Sequence, residues 1–98
     1  MPVLRSLVSA ACVAWSLPAA PAAAATCADH AVTARGEPSR LEILAKAKAR
    51  GNWRAKVRTM PELGAAFADW YKAQDTDYRC EQSDGQVACM AVGRPCHD

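Results

Sequence analysis

The sequence contains none of the short motifs by which common catalytic sites are recognised. It has no Cys-x-x-Cys pair for dithiol chemistry, no Gly-x-Ser-x-Gly for a serine nucleophile, no His-Glu-x-x-His for zinc and no glycine-rich phosphate loop. Histidine, a frequent general base, occurs only twice. We therefore predict that the protein is not an enzyme and requires no cofactor.

Beyond its first 25 residues the sequence also lacks a long apolar run. Arg5 precedes an apolar stretch at residues 7–17, and Ala23 to Ala25 match an A-x-A cleavage site. We predict that residues 1–25 are a secretory signal peptide and that the protein is periplasmic or secreted, with no membrane span after cleavage. An uncleaved anchor is disfavoured because the run is too short for about 30 Å of hydrocarbon. Lipid attachment at Cys12 is disfavoured because apolar residues continue after it.

Removal of the signal peptide also removes Cys12 and leaves an even number of cysteines, Cys27, Cys80, Cys89 and Cys96. In a short exported chain this indicates a disulfide framework. Four cysteines allow three pairings, and the local sequence favours one of them. Asp84-Gly85 is typical of a two-residue β-hairpin turn, in which facing residue numbers sum to 169 and Cys80 faces Cys89. Cys27 would then pair with Cys96.

Alternation along this hairpin assigns side chains to its two faces. Tyr78, Cys80, Val87, Cys89 and Ala91 are predicted to share one face. Before the hairpin, residues 26–38 read as an entry segment, in which residues 31–34 could add a short edge strand.

Two helices are predicted between the entry segment and the hairpin. Ser39 and Glu42 form a capping-box pattern that opens a helix at residues 40–59, with apolar residues at Leu41, Ala45, Ala49, Trp53 and Val57. This single helix could bend at Gly51; the alternative is a break, with one helix ending at Gly51 and another beginning near Asn52. A second pattern, Thr59 to Glu62, predicts another helix to about residue 74, with Trp70 on its apolar stripe and Asp75 and Asp77 in the loop that follows. The predicted fold is α+β: two helices on a C-terminal β-hairpin, with residues 39–98 as the disulfide-linked domain.

Charge is distributed unevenly although its net value is small. Residues 35–58 contain eight basic and two acidic residues, whereas residues 59–98 contain three basic and seven acidic ones. Four of the basic residues recur at every fourth position of the first predicted helix and are candidates for anion binding: Lys46, Arg50, Arg54 and Arg58. We call these four residues the basic ridge. The alternative is a solvated helix face, partly neutralised by the acidic C-terminal half.

The two ends of the domain contain candidate zinc ligands, because each histidine lies near a cysteine there. Cys27 with His30, and Cys96 with His97, supply suitable ligand types. Adjacent residues such as Cys96 and His97 are poorly placed to chelate one ion, and an oxidising compartment favours the disulfide. We therefore predict no metal site.

A recurring pattern of tryptophan, glycine and cysteine residues extends over residues 49–96. It comprises Trp53 and Val57, Leu63-Gly64, Phe67-Ala68 with Trp70 and Ala73, then Cys80, Cys89, Ala91 and Pro95-Cys96. In this respect the chain resembles small exported, alphaproteobacterial-type proteins of unknown function. The resemblance implies export and a compact helix-and-hairpin domain, and it brings no activity.

Two functional hypotheses follow. The first is a small exported, non-catalytic structural or binding module. The alternative is an envelope-associated or secreted effector that binds anionic surfaces, an envelope component or an acidic protein, through the basic ridge. We predict that no aromatic residue is interleaved with the ridge on its exposed side, which makes nucleic acid an unlikely ligand.

Overall fold

The computed structural model describes residues 25–98. The signal-peptide prediction and Cys12 therefore fall outside the described residues. In chain order the elements are β1 (Thr26–Cys27), β2 (Val32–Arg35), α1 (Glu42–Thr59), a 3-10 turn (Ala65–Phe67), β3 (Gln74–Ser83), β4 (Gln86–Arg94) and β5 (Cys96–His97).

The hairpin of β3 and β4 has the predicted turn and register. Asp84 and Gly85 have φ angles of 53° and 73°, as a type I′ turn requires. Ser83 pairs with Gln86, and Cys80 with Cys89. The hairpin is longer than predicted, because β3 begins at Gln74 and continues past an irregularity between Gln74 and Asp77. The prediction that Asp75 and Asp77 lie in a loop is therefore wrong.

The entry segment contributes to both sheets of the domain. The predicted edge strand is confirmed as β2, which pairs antiparallel with β4, so that β4 is the central strand of a sheet with the order β2-β4-β3. β1 pairs with β5 in a second, two-stranded sheet. The predicted disulfides are both present: Cys27–Cys96 joins β1 to β5, and Cys80–Cys89 crosses the hairpin.

Helix α1 is continuous through Gly51, so the alternative of a break there is wrong. The predicted capping box is also wrong. Leu41 is the N-cap residue, and no side chain caps the helix. The Ser39 backbone instead exchanges two hydrogen bonds with Val87, of 2.9 and 2.7 Å, which hold the chain extended before the helix begins.

The second predicted helix is wrong, and α1 is the only α-helix within residues 25–98. The chain leaves α1 at Met60 in an extended conformation, and Gly64 has a φ of 76°. A positive φ interrupts a right-handed helix, and only a three-residue 3-10 turn follows. Thr59 Oγ1 donates to the Lys56 carbonyl rather than capping a new helix.

One face of the three-stranded sheet packs on α1 through the stripe Ala45, Ala49, Trp53 and Val57, all fully buried. Trp53 Nε1 donates to the carbonyls of Val32 and Gly93, at 3.0 and 3.3 Å. The Trp70 ring lies edge-on to Trp53 at 5.1 Å between centroids, which confirms both tryptophans as core residues. Leu41, predicted to belong to this stripe, is 57% exposed because it precedes the helix.

Candidate anion-binding surface

Helix α1 places the basic ridge immediately beside its buried stripe. Each ridge residue follows a buried residue by one position, which rotates its side chain by about 100° around the helix axis toward solvent. Lys46, Arg50 and Arg54 are half-buried, and Arg58 is exposed. The continuity of α1 keeps all four cations on one surface, which a break at Gly51 would have divided.

The N-terminal half of the ridge surrounds a tyrosine from the hairpin. Arg50 Nη1 donates to the Tyr78 hydroxyl at 3.3 Å, and Lys46 Nζ lies 5.8 Å from the Tyr78 ring centroid. Arg50 Nε is buried and has no acceptor among residues 25–98. A buried donor without a partner is energetically costly, so this guanidinium has hydrogen-bonding capacity that the domain does not use.

The C-terminal half of the ridge meets a second tyrosine. The Arg54 guanidinium carbon lies 5.7 Å from the centroid of the Tyr71 ring, whose residue is 79% exposed. Asp69 Oδ1 accepts a hydrogen bond from the Tyr71 backbone at 2.9 Å, which helps to position that turn. A shallow depression of about 360 Å³ adjoins them; it is lined by Arg54, Arg58, Ala65, Ala68 and Asp69.

The prediction that no aromatic residue accompanies the ridge is therefore wrong. Strand alternation correctly places Tyr78 on the hairpin face toward the helix, but it does not indicate which helical residues meet it. Tyr71 lies in the segment mistaken for a second helix, so its position beside Arg54 has no signal in the local sequence.

Carboxylates of the acidic C-terminal half form ion pairs elsewhere. Within residues 25–98 the ion pairs are Lys72–Asp98, at 2.7 Å, and Arg94–Asp75, at 3.4 Å. The hydrogen bond and charge of Lys72 lower the pKa of Asp98, and Asp98 raises the pKa of Lys72. No ridge residue forms an ion pair with a carboxylate in this part of the chain. The ridge therefore keeps its positive charge without a direct counter-ion in the described domain.

The opposite flank of α1 is tied to the chain that precedes it. Lys56 Nζ donates to the Thr33 carbonyl at 2.7 Å, and Asn52 Nδ2 donates to Glu37 Oε1 at 3.2 Å. The pKa of Glu37 is lowered, first by a hydrogen bond from its own backbone and then by Asn52, with a smaller contribution from the charge of Lys48. On this flank the Glu37 carboxylate is bonded to a side chain of α1, whereas Asp69, which lies near Arg54 and Arg58, forms no ion pair with either arginine.

The disulfide Cys27–Cys96 borders a separate open cleft of about 430 Å³. Its apolar wall includes Met60, Leu63 and Phe67, and His30 lies on its lining. The His97 ring packs edge-on against Phe67 at 4.6 Å between centroids. Both sulfurs are committed to the disulfide, and residues 25–98 contain no cluster of three or more metal-ligating side chains.

Together these features define a small α+β domain with two disulfides and a cationic helical surface flanked by tyrosines. Comparison of the chain with protein family models, curated proteins and solved structures found no match. No helix in the described part of the chain is long and apolar enough to cross a membrane.

Proposed function

We propose that this protein is a small exported, non-catalytic binding module whose ligand is an anionic surface or polymer held by the basic ridge. Its partner in the cell would be an anionic envelope component or an acidic protein. The observation that carries the proposal is the absence, within residues 25–98, of any carboxylate paired with Lys46, Arg50, Arg54 or Arg58.

The half-buried part of the ridge supports ligand binding more strongly than surface charge alone would. Exposed cations are well solvated and frequently have no specific partner. Arg50, in contrast, is held against Tyr78 with its Nε buried and without an acceptor. Nε itself is closed to solvent, so an anionic oxygen would bond to the accessible part of this guanidinium, and that hydrogen bond would be charge-assisted.

Export is the second part of the proposal, and the disulfides support it. All four cysteines of the described domain are oxidised, which is typical of periplasmic and secreted proteins. Residues 1–25 have the n-region, apolar region and A-x-A pattern of a signal peptide. We propose cleavage close to Ala25, which would leave the Cys27–Cys96 disulfide at the N-terminus of the mature protein.

The tyrosines beside the ridge bear on the kind of anion. Tyr71 is an exposed ring next to Arg54, so stacking by an unpaired base is sterically feasible there. One such ring is much less than the series of stacking platforms typical of single-strand binders. We therefore favour an anion recognised by its charge, and include single-stranded DNA as a comparison ligand in the test.

The test measures binding of the purified, disulfide-bonded protein to dextran sulfate as the salt concentration is raised from about 50 to about 200 mM, a range in which screening of exposed charges increases. Binding should weaken steeply with salt. Substitution of both Arg54→Gln and Arg58→Gln should weaken it by roughly ten- to thirty-fold, because each basic residue near an anionic surface contributes about 1 kcal/mol.

The matched control is Arg35→Gln with Arg79→Gln, which removes the same charge from the sheet face opposite α1. Both control residues pair with Met90 in the sheet, so they lie on the face away from the Cys89 side chain in the core. An equal loss in the control would assign binding to net charge rather than to the ridge. Absence of binding by the parent protein at low salt would refute the proposal, and tighter binding of single-stranded DNA than of dextran sulfate would redirect it to nucleic acid.

A further inference from the structure

The face of α1 that points away from the sheet carries an apolar strip beside the basic ridge. Ile43 and Leu44 are 75% and 48% exposed, and because they are adjacent in sequence they form a contiguous apolar patch at the start of the helix. Ala47 is half-buried, and Gly51 and Ala55 are exposed. We call Ile43, Leu44, Ala47, Gly51 and Ala55 the exposed strip. Their spacing of three or four residues aligns them along the helix.

The exposed strip lies between cations on both sides. At about 100° per residue, Arg50 and Arg54 border one side of it, and Lys48 borders the other. Across its whole length α1 contains six basic residues and a single acidic one, Glu42. The helix thus buries one apolar stripe against the sheet and leaves a shorter strip open to solvent, apolar chiefly at Ile43 and Leu44 and bordered by positive charge.

We propose that the exposed strip and the basic ridge together bind the surface of an anionic lipid bilayer. This inference rests on the proposed function and specifies its ligand. Ile43 and Leu44 would enter the interfacial region at the N-terminal end of α1. The flanking arginine and lysine side chains would reach outward to headgroup phosphates while their methylene groups cover apolar surface.

Charge complementarity favours an anionic bilayer over a second copy of the chain as the partner of the exposed strip. Two α1 helices apposed through the exposed strip would bring Lys48, Arg50 and Arg54 of one copy against the same cations of the other, and Glu42 is the single carboxylate of each helix. A soluble polyanion would satisfy the cations but would leave the isoleucine and leucine in water. An anionic bilayer supplies both negative headgroups and an apolar layer a few ångströms below them.

The test compares three probes: vesicles of phosphatidylcholine with phosphatidylglycerol, vesicles of phosphatidylcholine alone, and dextran sulfate. The strip variant combines Ile43→Thr with Leu44→Gln, and circular dichroism verifies its fold. It should reduce partitioning onto the mixed vesicles by about ten-fold or more, because two large apolar side chains no longer transfer from water. Binding of dextran sulfate should change by less than about two-fold, since the variant removes no charge from the ridge.

A matched control, Val92→Thr with Met90→Gln, makes equivalent changes at half-buried positions of β4 on the sheet face away from α1. It should leave vesicle partitioning unchanged. Unchanged partitioning of the strip variant would overturn the bilayer inference. Equal partitioning of the parent protein onto vesicles without phosphatidylglycerol would also overturn it. The same holds if sedimentation shows that the parent protein is a dimer and that the strip variant is not. These results leave the proposed function standing if dextran sulfate binding still depends on Arg54 and Arg58; loss of that dependence would refute the proposed function itself.

Discussion

The disulfide between Cys27 and Cys96 should contribute more to stability than the disulfide across the hairpin. The two cysteines are 69 residues apart in sequence, whereas Cys80 and Cys89 are nine apart. In the chain-entropy model, loops of these lengths restrict the unfolded chain by about 4.4 and about 2.7 kcal/mol. The strand pairing also makes the Cys27–Cys96 disulfide the more important one. Without it β1 and β5 are held by a ladder of only two residues each, whereas Cys80 and Cys89 lie within a long hairpin.

The perturbation is the double substitution Cys27→Ala with Cys96→Ala, which avoids burying a hydroxyl at the fully buried Cys96 position. A domain of this size has a stability of about 4–11 kcal/mol at roughly 0.05–0.15 kcal/mol per residue. Loss of about 4.4 kcal/mol therefore removes 40% or more of the free energy of unfolding, on the order of a 20–30 °C fall in Tm. The variant should be marginally folded or unfolded at 37 °C.

Thermal unfolding followed by circular dichroism, without reductant, measures the effect. Cys80→Ala with Cys89→Ala is the matched control and should lower Tm by less. A variant lacking Cys27 and Cys96 that melts within a few degrees of the parent, or a control that melts lower than that variant, would refute the loop-length argument.

Two further substitutions test local contacts. Gly36→Ala would place a Cβ atom 2.5 Å from the backbone nitrogen of Ala49, and urea unfolding should show a loss of stability of about 1–3 kcal/mol. Gly51→Ala is the control at an open helical position, and it should stabilise the domain by about 0.5–1 kcal/mol. Equal effects of the two substitutions would contradict the close packing of Gly36. Asn52→Ala should raise the pKa of Glu37 part of the way to its ordinary value, because the larger backbone contribution remains. Because folding lowers the pKa of Glu37, its ionised carboxylate stabilises the fold at pH values above the ordinary glutamate pKa. This stabilisation is lost as the pH falls through the folded-state pKa. Carboxyl NMR titration measures both pKa values, and an unchanged pKa would exclude the Asn52 contribution.

Local rules were sufficient where one stretch of chain determined its own geometry. The Asp84-Gly85 turn specifies a two-residue hairpin, and a fixed turn length determines every cross-strand pair, including Cys80 with Cys89. With that pair assigned, Cys27 and Cys96 were the remaining partners. The apolar spacing from Ala45 to Val57 likewise determined which face of α1 would be buried, because a helix repeats every 3.6 residues whatever it packs against.

Tertiary structure decided the features in which a contact with a distant segment replaces the conformation that the local sequence favours. Ser39 matched a helix cap, but two backbone hydrogen bonds to Val87 hold it in an extended bridge instead. Thr59 to Glu62 matched a helix start, but the chain turns at Gly64 with a positive φ and brings Trp70 onto Trp53. The same turn sets Tyr71 against Arg54, and the sheet sets Tyr78 against Arg50. These contacts depend on packing between elements far apart in sequence, which no local pattern of residues encodes.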